Sequence, residues 1–116
     1  MIIILKGQPK STQHCYKTTC MGGRPRLYMS NECKDLKEDY QWQAKSQWHK
    51  KPLDRELDVS IDLYFGTKRK SDIDNFCKLI LDSLEGIVYE NDNQIMSLNI
   101  TKHYDKNAPR AEVTIF

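Results

Sequence analysis

The chain has 116 residues, 39% of them apolar and 29% charged, a size and balance that fit one globular domain spanning 1–116. Its longest apolar run, Met1 to Leu5, falls far short of the roughly 20 residues of a transmembrane helix and of the apolar stretch of a secretory signal, so a cytoplasmic protein with no membrane contact is expected. The net charge of +2 is unevenly spread: residues 1–31 hold Lys6, Lys10, Lys17, Arg24 and Arg26 and no acid, whereas from Asp72 onward eight acids face four Lys or Arg.

Ile2 to Leu5 is β-branched and apolar, which predicts a short buried strand stopped by Gly7 and Pro9. The next twenty residues show no periodicity, are basic, contain Gly22-Gly23 and Pro25, and read as a long loop. From Ser30, a suitable N-cap, Cys33, Leu36, Tyr40, Ala44 and Trp48 recur at helical spacing until Pro52. Leu57, Val59, Ile61, Leu63 and Phe65 then alternate with Glu56, Asp58, Ser60, Asp62 and Tyr64, the period of a strand with one buried face. The basic run Lys68-Arg69-Lys70 leads into Asp72 and Asp74 and a second helix, with Ile73, Phe76, Cys77, Ile80, Leu81 and Leu84 on its apolar stripe, Asp74, Lys78 and Asp82 on its polar one, and Gly86 as its stop. After Glu90-Asn91-Asp92-Asn93 two further alternating segments follow, Met96, Leu98, Ile100 and Ala111, Val113, Ile115. The turn at Asp105 to Pro109 suggests that they pair as an antiparallel hairpin. The order β-α-β-α-β-β implies an α+β fold: a single layer of four-stranded mixed sheet with two helices packed on one face.

Cys15, Cys20, Cys33 and Cys77 are irregularly spaced, and in a reducing compartment they are expected to be thiols. A zinc site from His14, Cys15, Cys20 and Cys33 lacks the matching second pair of ligands that such sites use. Trp42 and Trp48 offer stacking surfaces for bases, but Trp48 lies on the apolar helix stripe and belongs to the core. His14, His49 and His103 have no partner pattern, and Ser83 lacks the glycine setting of a nucleophile.

Asp72-Ile73-Asp74-Asn75 falls where strand gives way to helix, and capping alone accounts for such residues, since Asp and Asn are favoured caps and carboxylates suit the first turn. Lys78 lies one turn beyond Asp74, as a surface ion pair would. A sharper reading adds Asp92, in a polar turn before a strand. Three carboxylates converging beside a lysine are unfavourable unless a cation joins them. Magnesium takes hard oxygen ligands, and it can orient water and neutralise charge on a phosphodiester. Lys78 would then stabilise an oxyanion.

The stretches Asp72-Ile73-Asp74-Asn75-Phe76-Cys77-Lys78, Leu81-Asp82-Ser83-Leu84 and Tyr89-Glu90-Asn91-Asp92-Asn93-Gln94-Ile95, with Lys102, resemble the signature of the RusA family of Holliday junction resolvases. Gly7-Gln8-Pro9-Lys10 and Arg24-Pro25-Arg26 are similar to the basic N-terminal segment of that family, so the resemblance covers nearly the whole chain. It implies that Asp72, Asp74 and Asp92 bind metal, Mg2+ or Mn2+, and that Lys78 is the catalytic lysine. It also implies a homodimer that nicks two strands of a four-way DNA junction symmetrically in recombination and repair, often of prophage origin. Where family members often carry two adjacent acids this chain has Asn91-Asp92, and the essential role is assigned to Asp92.

The basic segments nearest this site, Lys6, Lys10, Arg24, Arg26, Lys68, Arg69 and Lys70, are the expected phosphate contacts. The rival is a nucleic-acid-binding module without chemistry, but a pure binder gains nothing from carboxylates that repel phosphates. A relative acting on flaps or forks shares the same sequence features.

Overall fold

The computed structural model runs β1 (Ile2–Lys6), β2 (Tyr16–Met21), β3 (Arg24–Met29), α1 (Asn31–Gln47), β4 (Leu57–Phe65), a 3-10 turn (Ile73–Phe76), α2 (Lys78–Leu84), a second 3-10 turn (Asp92–Gln94), β5 (Ile95–Tyr104) and β6 (Arg110–Ile115). The structure describes residues 1–11, 15–68 and 73–116, and for 16–21, 24–28 and 74–75 the backbone only. The main sheet has the order β1-β6-β4-β5, with β4 parallel to β5 and antiparallel to β6, and β6 antiparallel to β1.

Leu57, Val59, Ile61, Leu63 and Phe65 are all buried along β4, together with Ala111, Val113 and Ile115 of β6 and Ile3 and Leu5 of β1. Tyr40, Ala44 and Trp48 of the first helical segment and Leu79, Ile80 and Leu84 of α2 complete that core, so both helices lie on one face. The other face is polar: Ser97 Oγ donates to Asp58 Oδ1 at 2.8 Å, and His103 Nε2 and Asp62 Oδ1 pair at 2.8 Å. The expected α+β layer is therefore present. No helix among the described residues is long and apolar enough to cross a membrane.

Three expectations are corrected. First, β5 and β6 do not pair with each other; they flank β4 on opposite sides. β6 lies inside the sheet and buries every inward residue, whereas β5 takes an edge and leaves Met96 63% and Leu98 38% exposed. The linker after β5 steps over the end of β4 instead of folding back. Asp105 N–H donates to Phe65 O at 2.8 Å and Gly7 N–H to Pro109 O at 3.1 Å.

Second, the basic stretch after Pro9 is not all loop. It contains the β2–β3 hairpin, closed by Gly22 and Gly23 at φ +64° and +75°, the positive pair of a type I′ turn. Its residues carry no apolar alternation because the hairpin forms a separate two-stranded sheet outside the main one. Third, Cys15 and Cys33 are not thiols but are joined as a disulfide, which also removes them as zinc ligands; Cys77 is not disulfide-bonded. The hairpin explains the pairing: it returns the chain so that Ser30 N–H donates to Cys15 O at 2.8 Å, setting Cys15 beside the first turn of α1.

On its far side α1 seals the sheet. Ile4 N–H donates to Gln47 Oε1 at 2.8 Å and Gln47 Nε2 to Ile4 O at 2.7 Å, while Lys6 N–H donates to Gln43 Oε1 at 2.6 Å. Two amides one helical turn apart thus occupy the β1 edge as a neighbouring strand would.

The disulfide closes a loop of sequence separation 18, for which restriction of the unfolded chain is worth about 3 kcal/mol. Cys33→Ser should lower unfolding free energy by about that amount in oxidising buffer, and the difference from the parent should vanish in thiol reductant. An equal difference in both buffers would contradict the pairing.

Candidate functional site

Parallel strands require a crossover, and the segment between β4 and β5, described over 66–68 and 73–94, makes it on the helical face. Phe76 anchors its start by packing edge-on against Phe65, with ring centroids 5.1 Å apart. α2 buries Leu79, Ile80, Ser83 and Leu84 and so turns Lys78 and Asp82 outward. Lys78 Nζ and Asp82 Oδ2 form an ion pair at 3.4 Å. Gly86, at φ +84°, ends the helix as expected, and its N–H donates to Tyr89 O at 2.7 Å. Ser83 is a satisfied core residue, its hydroxyl donating to Leu79 O at 2.6 Å.

The turn reverses the chain and brings Asp92 back to the end of α2. Carboxylate oxygens of Asp82, Glu85 and Asp92 all lie within 4.8 Å of one another. Asp92 is held by a capping box: Asn91 Oδ1 accepts from Asn93 N–H at 3.0 Å, and Gln94 Oε1 accepts from Asn91 N–H at 2.7 Å. Gln94 Nε2 also donates to Leu53 O at 2.8 Å and Arg55 O at 2.9 Å, tying this turn to the segment that enters β4. Beneath the acids, buried Tyr89 donates from its hydroxyl to Leu81 O. Its pKa is pushed well above the usual phenol value, first by burial and then by Asp92, Glu85 and Asp82, so it stays a neutral donor.

Of the residues singled out from sequence, Asp92 and Lys78 are both at this acidic centre, Lys78 through Asp82. Asp74 lies in the 3-10 turn that leads into α2, described by its backbone, and Asp72, Arg69, Lys70 and His14 fall outside the described residues. Arg24 and Arg26 lie on β3, Lys6 ends β1, and Lys68 Nζ stands 5.6 Å from the centre of the Tyr104 ring. Lys10 shares a concavity with Glu32, Asp35 and Asp39. His103 pairs with Asp62 and stacks on Tyr64, with ring centroids 4.6 Å apart.

Sequence reasoning placed Asp82 on the polar stripe but gave neither it nor Glu85 a role. The signal was present in the spacing, since Glu85 follows Asp82 by one turn and a glycine reversal returns Asp92. Hard carboxylate oxygens grouped in this way suit Mg2+ or Mn2+ better than softer metals.

The family model for endodeoxyribonuclease RusA matches residues 6–116. Crossover junction endodeoxyribonuclease RusA of Aquifex aeolicus (strain VF5) is 35% identical over 66 residues, which make up 56% of this chain and 52% of that protein. Protein YqaN of Bacillus subtilis (strain 168), described as uncharacterized, is 39% identical over 46 residues, 40% of this chain and 32% of that one. The matched stretches thus span about half of the first relative and about a third of the second.

Gln94→Ala removes the amide that joins Asn91, Leu53 and Arg55. Chemical denaturation should show a loss of about 1 to 3 kcal/mol, as several backbone groups lose their partner. Unchanged stability would mean that the Asp92 turn is held by Asn91 alone.

Proposed function

Because the chain belongs to the RusA endodeoxyribonuclease family, we propose that it is a divalent-metal-dependent endodeoxyribonuclease that resolves four-way DNA junctions by paired symmetric nicks. The observation that supports this most is Asp92, locked in a capped turn beside Asp82 and Glu85 at the end of the helix that carries Lys78. In this reading Asp72, Asp74 and Asp92 hold Mg2+ or Mn2+, with Asp82 and Glu85 adding negative potential beside Asp92. The cation, when bound, orients a water and offsets charge on the phosphodiester.

The chain's own residues do the rest. Lys78, 61% exposed and able to swing from Asp82 to a phosphate, donates to the oxygen on which charge develops as the P–O bond breaks. Tyr89, buried and protonated, keeps the floor of the site from adding another charge. Lys6, Arg24, Arg26, Lys68, Arg69 and Lys70 contact phosphates. Lys10 contributes less than these, because Glu32, Asp35 and Asp39 beside it offset its charge. A four-way junction has two-fold related strands, so paired incision calls for a homodimer with an isologous interface. Such an enzyme works where the DNA is, in the cytoplasm.

Asp74→Asn separates chemistry from binding. Asn retains most of the capping ability and volume of Asp, so folding should be little changed, while the charge that holds the cation is lost. Magnesium-dependent nicking of a labelled four-way junction should fall at least 100-fold, with junction binding retained or strengthened. Nicking at the parent rate would remove Asp74 from the site, and cleavage of flaps or forks in preference to junctions would reassign the substrate.

A further inference from the structure

The charges of α1 look evenly mixed in sequence, but the helix sorts them. Glu32, Asp35 and Asp39, at i, i+3 and i+7, lie on one flank beside Lys10. Lys34, Lys37 and Lys45 lie on the opposite flank with Gln41 and Trp42, and Glu38 is the sole acid there. With Met29 at the end of β3 these residues line a concavity of about 560 Å³. Trp42 is 65% exposed, with Lys45 Nζ 5.4 Å from the ring centre, whereas the second tryptophan, Trp48, is buried. An exposed indole costs the fold apolar surface in water and contributes nothing to the core.

We propose that this flank of α1 is a second DNA-binding site, which seats one strand with its phosphates on Lys34, Lys37 and Lys45 and an unstacked base on Trp42. Two features favour a nucleic-acid strand over other anions. A line of lysines on one helix flank matches a linear polyanion, and an accessible indole beside them matches a base with its π-face free. Met29, at the end of β3, is part of the lining, so the site adjoins the base of the hairpin. It lies outside the set of basic residues expected from sequence to contact phosphate. The assignment rests on the reading that the protein acts on DNA, and it names where an opened or single-stranded arm is held.

The test is binding of the full chain to a labelled oligothymidylate, with nicking of a four-way junction followed in parallel. The parent's tryptophan fluorescence should be quenched on binding, which reports on Trp42. Trp42→Ala should weaken binding about 5- to 100-fold and Trp42→Phe should keep most of it, because a phenyl ring still stacks. Replacing Lys34, Lys37 and Lys45 together with Ala should reduce the slope of log affinity against log salt by about 2. Parent-like affinity in both Trp42→Ala and the triple variant, or no oligothymidylate binding by the parent, overturns the site. If the parent nicks junctions while these variants bind as the parent does, only the α1 site fails. Trp42-dependent binding by a parent that does not nick defeats only the nuclease reading.

Discussion

The parallel pairing of β4 with β5 is the constraint on which the rest depends. β4 is apolar at every inward position and lies inside the sheet, with β6 on one side and β5 on the other. Because β5 runs parallel, the chain cannot turn back directly and must cross the helical face. That crossing contains Asp74, Lys78, Asp82, Glu85 and Asp92, and the core beneath them dictates which side of α2 faces water. Gln94 then fixes where the crossing ends, one amide holding the turn of Asp92 to the strand entrance at Leu53 and Arg55.

Charge is distributed by the same topology. The acids gathered in the crossover oppose phosphate binding unless a cation offsets them, while the lysines on one flank of α1 carry the opposite charge. A module that only bound DNA would gain from the second feature and lose from the first. A nuclease uses both, since it must hold the backbone near the carboxylates that position a metal. The Cys15–Cys33 link and the Gln43 and Gln47 latch secure α1 to the start of the hairpin on one side and to β1 on the other, so the lysines of α1 are carried on a fixed frame.

Elements whose burial follows a simple period were legible in the sequence. β4 and β6 alternate strictly, Tyr40 and Ala44 of α1 and Trp48 just after it repeat at helical spacing, and Gly86 marks the end of α2. What the sequence hid was partnership. An alternating segment does not say which strand it pairs with, and a short linker such as Asp105–Pro109 serves a hairpin or a step across a strand equally well. The β2–β3 hairpin escaped because its pairing rests on two glycines and backbone bonds instead of an apolar stripe, and with it went the approach of Cys15 to Cys33. At the candidate site Asp92 and Lys78 were readable from a local pattern. Glu85 was not, since its place beside Asp92 depends on a chain reversal that periodicity does not express.

On the proposed reading these carboxylates serve metal-dependent cutting of branched DNA. Incubating the purified chain with an end-labelled mobile four-way junction, in magnesium and in chelator, tests it most directly. Nicks are expected at symmetry-related positions on two opposing strands in magnesium, and none in chelator. Tight junction binding with no nicks in either magnesium or manganese would contradict it, and would leave a DNA-binding module in place of an enzyme.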